Sequence, residues 1–139
     1  MAQQNYVLAV DQSTTSSAAF VIDHGGRVVA WAKREITQFH PEPGWVSHDP
    51  EELFRSVIAV SQEAMASAGI GPQQLAAVGI TNQRETTVVW DRSTGEPVSP
   101  AIVWQCRRTA QMCDELKQRG LEPAVREKTG LMIDAYFSA

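Results

Sequence analysis

The chain is poor in sulfur, has no apolar run long enough to cross a membrane, and carries no excess of basic charge. Cys106 and Cys113 are its only cysteines among 139 residues. On one continuous helix that spacing puts their Cα atoms roughly 10 Å apart, beyond the reach of a disulfide. There is no Cys-x-x-Cys pair and the three histidines are scattered, so the ligand spacing of a zinc site is missing. Two reduced, partly buried thiols are the expectation. Lys and Arg number 12 against 16 Asp and Glu, a net charge of −4. That argues against a nucleic-acid partner, which needs clustered cations. The first apolar run, Tyr6–Val10, is preceded by Met1-Ala2-Gln3-Gln4-Asn5 with no basic residue. It reads as neither a secretory signal nor a membrane span, and a cytoplasmic location is expected. A 43% hydrophobic content with 20% charged residues is ordinary for a globular domain of this length.

What the chain does have is Asp11-Gln12-Ser13-Thr14-Thr15-Ser16-Ser17. Apolar runs flank it on both sides, Tyr6–Val10 and Ala18–Ile22, with the length and β-branched content of buried strands. Asp11 closes the first run, where a carboxylate can hold magnesium directly or through water. Five consecutive hydroxyl residues follow, offering donors suited to phosphate oxygens at a tight turn. The loop lacks a P-loop pattern, and a polar hairpin tip of no function has the same look.

Residues 6–11, 17–23 and 27–36 read as three strands, with Asp23-His24-Gly25-Gly26 turning the second into the third. An antiparallel meander therefore opens the domain. The Pro- and Gly-rich stretch His40–Asp49 is a loop whose Trp45 and histidines anchor it to the core. His48 beside Asp49 invites a general-base reading, but Asp49 suits the N-cap of a helix starting at Pro50. Glu52 stands at capping-box spacing from it. The helix would bury Leu53, Phe54, Val57, Ile58, Ala64, Met65 and Ala68 and stop at Gly69 and Gly71-Pro72. Leu75–Thr81 is the next strand. Reached through a helix, it should pair in parallel with the first. Thr86–Trp90 and Ala101–Trp104 continue as strands, with a hairpin turn at Asp91–Gly95. Thr109–Arg119 and Glu122–Lys128 are helical.

The loop Asn82-Gln83-Arg84-Glu85 leaves the carboxyl end of a strand, where open α/β sheets bind ligands, and it could share a crevice with the hydroxyl loop. Arg84 and Glu85 pair a donor fork with an acceptor, a means of gripping a polyol through its hydroxyls. A plain surface ion pair is the alternative. Trp104 could lay its ring on the carbon side of such a ligand or simply be core.

Gly79–Trp90, Ala101–Thr109 and Lys128–Leu131 with Ile133-Asp134 and Tyr136-Phe137-Ser138, together with Pro43–Val46 and His48–Pro50, resemble the glycerol kinases of the FGGY carbohydrate kinases. The resemblance runs from about Tyr6 to the last residue. It implies ATP-dependent phosphorylation of glycerol on a ribonuclease-H-like (actin-like ATPase) α/β fold, a mixed sheet opened by an antiparallel meander and flanked by helices. It implies that Arg84, Glu85 and Tyr136 hold the glycerol hydroxyls with Trp104 against the carbons. Thr14, Thr15 and Ser16 would meet the ATP phosphates and Asp11 would serve Mg2+. It further implies that residues 1–139 are a truncated N-terminal kinase domain, with the catalytic aspartate and a second ATP-binding domain downstream, and a homo-oligomer at full length. The sheet should then expose surface meant for the missing part. Two residues depart from the family pattern, Ser13 for Gly and Ala18 for Arg. Loss of a donor aimed at the transferring group could cost about 2.7–4 kcal/mol. A kinase of another polyol or sugar, and a catalytically silent glycerol-binding protein, are the alternatives.

Overall fold

The computed structural model describes residues 6–137. The reading of Met1–Asn5 as a segment without a signal, and Ser138 of the terminal motif, lie outside the described residues. In chain order the elements are β1 (Tyr6–Gln12), β2 (Ser16–Asp23), β3 (Val28–Glu35), β4 (Ser47–His48), α1 (Pro50–Ser67), β5 (Leu75–Thr81), β6 (Ala101–Ile102), α2 (Ala110–Gln118) and α3 (Glu122–Thr129). They divide between two compact units, residues 6–37 with 49–83 and residues 38–48 with 84–137.

The first unit is a mixed sheet of order β3-β2-β1-β5 with α1 packed against it. β1, β2 and β3 form the expected antiparallel meander. β5 pairs with β1 in parallel, as a connection through a helix requires. Asp23 accepts from the backbone N–H groups of Gly25 and Arg27 at 2.9 and 3.0 Å, which closes the second turn. One sheet face carries the core: Leu8 and Val10 of β1, Ala19 and Val21 of β2 and Ala32 of β3 meet Val60 and Ala64 of α1. Alternate residues of each strand supply it.

Asp49 caps α1 as expected, accepting from the Glu51 N–H at 2.9 Å, with Pro50 at the first helical position. Glu52 does not complete a capping box. Its carboxylate accepts from the Thr37 N–H at 2.9 Å and ties the preceding loop to the helix. The expected buried face also needs correction. Phe54 is 65% and Ile58 43% exposed, while Ser56, Val60 and Ala64 are buried. The apolar residues of α1 fall on two adjoining stripes. The sheet takes the one through Val57, Val60, Ala64 and Ala68, with Met65 beside it, about 100° round the axis from Ile58. β5 lies at the sheet edge with Val78 and Ile80 exposed.

In the second unit β4 pairs antiparallel with β6. The strand expected over Thr86–Trp90 is reduced to isolated bridges, Thr87 with Ile102 and Trp90 with Pro97. Prolines at 97 and 100 remove donors from the facing run, so a ladder cannot continue there. The hairpin turn at Asp91–Gly95 forms as expected, with the Gly95 N–H on Asp91 O at 2.8 Å. The apolar run Ala101–Trp104 is strand only at its first two residues, because the Cys106 N–H turns back to Val103 O at 2.8 Å. Cys106 therefore precedes α2 and does not share a helix with Cys113. Both thiols are free, Cys106 buried and Cys113 half-buried. Val46, Val103 and Cys106 form the second core, flanked by Trp45, Ile102 and Trp104.

Candidate functional site

The hydroxyl loop is the β1–β2 hairpin, closed by the Ser13 N–H on Ser16 O at 2.9 Å. Its five hydroxyls have different fates. Ser13 Oγ donates to Asp11 Oδ1 at 2.7 Å. Ser17 is fully buried with its Oγ 2.7 Å from Ser56 Oγ. Ser56 spends its proton on Leu53 O at 2.8 Å, so Ser17 must be the donor of that pair. Ser17 anchors the hairpin to α1 and is closed to a ligand. Ser16 is 7% exposed, Thr14 is half-buried and Thr15 is open to solvent. The loop base is braced by Gln83, whose Nε2 donates to Gln12 Oε1 at 3.1 Å.

Asp11, Ala18 and Lys33 stand directly opposite one another on β1, β2 and β3. Residues in register share a face, so Lys33 flanks the position where the family pattern has a cation and this chain has Ala18. Lys33 is exposed and makes no ion pair among the described residues. No group of three His, Cys, Asp or Glu residues is arranged to hold a metal among the described residues.

In the second unit, Glu85, Trp104 and Tyr136 line one cavity of about 630 Å³, with Met112, Leu116 and Val125 of α2 and α3 among its apolar walls. Arg84 is exposed and is not among the lining residues. Trp104 and Tyr136 meet edge to face with ring centroids 5.4 Å apart, and Phe137 meets Tyr136 at 5.0 Å. Glu85 has φ of 63°, the only non-glycine residue with positive φ among the described residues. Such a conformation persists only where surrounding structure enforces it, and it clusters at ligand sites. A carboxylate and two aromatic rings on the wall of an apolar cavity can grip a small polyhydroxylated molecule by its oxygens and its carbons.

Two features here went unanticipated. Asp134 Oδ1 accepts from Arg107 Nη1 and from the Tyr136 backbone N–H, each at 2.8 Å. The Tyr136 N–H, then Arg107, hold its carboxyl below the usual aspartate range against a smaller effect of burial. An Asp two positions before the residue it caps is the Asx-turn pattern, which the sequence did carry. The second is Arg108, which donates to Ser47 Oγ at 2.7 Å and Cys106 Sγ at 2.9 Å while its guanidinium lies 4.3 Å over the Trp45 ring. Burial pushes the Cys106 thiol up, but hydrogen bonds involving the Val46 main chain and Arg108 outweigh it and leave it lowered. Trp45 and the fully buried His48 thus anchor their loop as expected, whereas His40 is exposed, with its Nδ1 3.2 Å from Trp45 O.

The model of the N-terminal domain of the FGGY family of carbohydrate kinases matches residues 6–139. The chain belongs to that family. It is 57% identical over 133 residues to a glycerol kinase of Caldanaerobacter subterraneus subsp. tengcongensis, covering 96% of this chain and 27% of that protein. It is 60% identical over 135 residues to a glycerol kinase of Carboxydothermus hydrogenoformans, covering 97% and 27%. The chain therefore spans about a quarter of the length of these relatives. Among solved structures, Plasmodium falciparum glycerol kinase with ADP superposes at a TM-score of 0.88 with 33% identity, over 99% of this chain and 28% of that one. A gluconate kinase from Lactobacillus acidophilus, at 20% identity over 94% of this chain and 26% of that one, shares the fold with a TM-score of 0.85. The mixed sheet with its opening meander is the ribonuclease-H-like, actin-like ATPase fold of these FGGY kinases. No helix among the described residues is long and apolar enough to cross a membrane.

Proposed function

We propose that this chain is the N-terminal domain of a cytoplasmic enzyme that transfers the γ-phosphoryl group of ATP to a terminal hydroxyl of glycerol. The observation that carries the reading is the wall formed by Glu85, Trp104 and Tyr136 on one cavity. The 57–60% identity to two proteins named glycerol kinase supports it. Glu85 accepts from the acceptor hydroxyls and the Trp104 and Tyr136 rings pack on the carbon side, while Arg84, exposed outside the cavity lining, is the donor that the resemblance assigns. Thr14, Thr15 and Ser16 give hydroxyl and backbone donors to the phosphates.

Asp11 suits Mg2+ in the mode that takes one carboxylate, with phosphate oxygens and water completing the shell. Asp11 would hold the ion through its carboxylate, one oxygen of which accepts from the Ser13 hydroxyl at 2.7 Å. Bound there, Mg2+ supplies charge neutralisation to the phosphates. In the reaction the acceptor oxygen forms a bond to Pγ as the bond from Pγ to the β–γ bridging oxygen breaks. ADP departs, and the acceptor proton passes to a base. By resemblance to the family, the base would be an aspartate outside residues 1–139, in a protein that has a second ATP-binding domain and assembles as a homo-oligomer.

The test is calorimetry of the full-length protein with glycerol and ATP separately, alongside an assay of ADP release. Binding of both, with glycerol-dependent ADP release, is expected. Glycerol binding with neither ATP binding nor turnover would overturn the kinase reading. Tight binding of a pentose in place of glycerol would overturn the substrate.

A further inference from the structure

Tyr136 reaches the cavity from a segment with no regular secondary structure, so something must hold it there. Asp134 Oδ1 accepts from the Tyr136 backbone N–H at 2.8 Å, and Asp134 O accepts from the Phe137 N–H at 3.1 Å. The same Oδ1 takes Arg107 Nη1 at 2.8 Å. Arg107 is itself fixed, because its backbone N–H donates to Gly44 O at 2.8 Å. Gly44 makes that approach with φ of 78°, a conformation that favours glycine. A continuous path thus runs from the Gly44 carbonyl through Arg107 and Asp134 to the main chain of Tyr136.

We propose that Arg107 and Asp134 are positioning residues of the acceptor site, setting the Tyr136 ring against Trp104. The proposal rests on the reading of Trp104 and Tyr136 as the acceptor wall. Neither residue of the pair is enclosed, since the side chains are 52% and 28% exposed. A half-exposed ion pair contributes little to global stability. What it does contribute is orientation, because one carboxylate oxygen joins a tethered guanidinium to the N–H of the residue that carries the ring. A misplaced ring loses contact with the acceptor while leaving ATP and the chemical step untouched.

The experiment uses the full-length protein and steady-state kinetics with glycerol and ATP varied in turn. Asp134→Ala should raise the KM for glycerol about tenfold, as expected for losing a hydrogen bond to a charged group. The KM for ATP, kcat and melting temperature should stay near those of the parent. Asp134→Asn keeps an acceptor for the Tyr136 N–H, and Arg107→Gln keeps the carboxylate. Each should give a smaller shift of the same kind, which keeps the proposal testable should the alanine variant fold poorly. In a Tyr136→Ala background, Asp134→Ala should add nothing further.

A glycerol KM unchanged in Asp134→Ala overturns the proposal. So does a fall in kcat, both KM values and melting temperature together, which marks general damage. An undiminished effect in the Tyr136→Ala background would show that Asp134 does not act through that ring, and likewise overturns it. If Tyr136→Ala itself leaves the glycerol KM untouched, the acceptor reading fails, and this proposal with it.

Discussion

Glu85 carries opposite demands on backbone and side chain, and replacing it with Gly and with Ala separates them. Its φ of 63° costs an L-residue roughly 1–2 kcal/mol relative to the right-handed region. Glycine escapes that cost but gives up about 0.5–1 kcal/mol in unfolded-chain entropy relative to Ala. Glu85→Gly should therefore be more stable than Glu85→Ala by about 0.7 kcal/mol, the middle of the difference between those ranges. Both variants delete the same carboxylate, so any interaction it makes cancels in the comparison. Both should raise the glycerol KM alike, by roughly ten- to a hundredfold if the carboxylate accepts a hydroxyl of the substrate. Calorimetric melting of the two full-length variants measures the first quantity and steady-state kinetics the second. A Glu85→Ala protein more stable than Glu85→Gly would refute the strain argument. Unequal glycerol KM values would show that the backbone, and not only the carboxylate, shapes the acceptor site.

Four shorter predictions follow from the same structure. Ser56→Ala strands the buried Ser17 hydroxyl proton and should cost about 1–3 kcal/mol in equilibrium unfolding, more than Ser17→Ala, with the double variant less than additive. Iodoacetamide applied to the native protein should modify Cys113 well before Cys106, which is 2% exposed, as read by peptide mass; equal rates would contradict that burial. The carboxyl of Asp134 is lowered in the fold, so its stabilising contribution is complete above the ordinary aspartate value of about 3.9 and is lost as pH falls through the lower folded value. The stability advantage of the parent over Asp134→Asn, small because the ion pair is half-exposed, should therefore hold at neutral pH and vanish in strong acid, and an advantage that persists there would reverse the assignment. Lys33→Gln should raise the KM for ATP about two- to fivefold, the scale of an exposed ion pair, and leave that for glycerol unchanged. No change in the ATP value would show that Lys33 does not stand in for the cation missing at Ala18.

Local physics made much of the first unit legible from residues alone. Asp49-Pro50 announced α1, the Asp23–Gly26 turn joined two strands, and a helix between strands dictated the parallel pairing of β5 with β1. The misreadings lie where several local solutions have equal merit. Phe54 and Val60 both belong to plausible apolar stripes, and only the sheet selects between them. Ser17 looks like its four hydroxyl neighbours until Ser56, brought from 39 positions away, takes its proton. At the candidate acceptor site, Glu85 and Trp104 were legible from their places at the ends of apolar runs, and Tyr136 through the resemblance. The positive φ of Glu85 was not, because nothing in a glutamate favours it and the enclosing structure imposes it. The pairing of Arg107 with Asp134 spans 27 positions and likewise has no local signature.

The two outer strands of the first sheet are unequal. β3 carries Lys33, Arg34 and Glu35 in succession, while β5 reads Leu75-Ala76-Ala77-Val78-Gly79-Ile80-Thr81 without a charge and leaves Val78 and Ile80 in solvent. Charged side chains on an outer strand discourage further pairing, and an uncharged apolar one invites it. Growth of the sheet is thus open beside β5 and opposed at the charged end of β3, whose first half exposes Val28, Val29 and Trp31. If two copies of the unit meet through β5, a twofold axis pairs the strands antiparallel and leaves a β3 at each end. Whether such an association stops at two copies or runs on as a fibre then falls to the three charges at the end of β3.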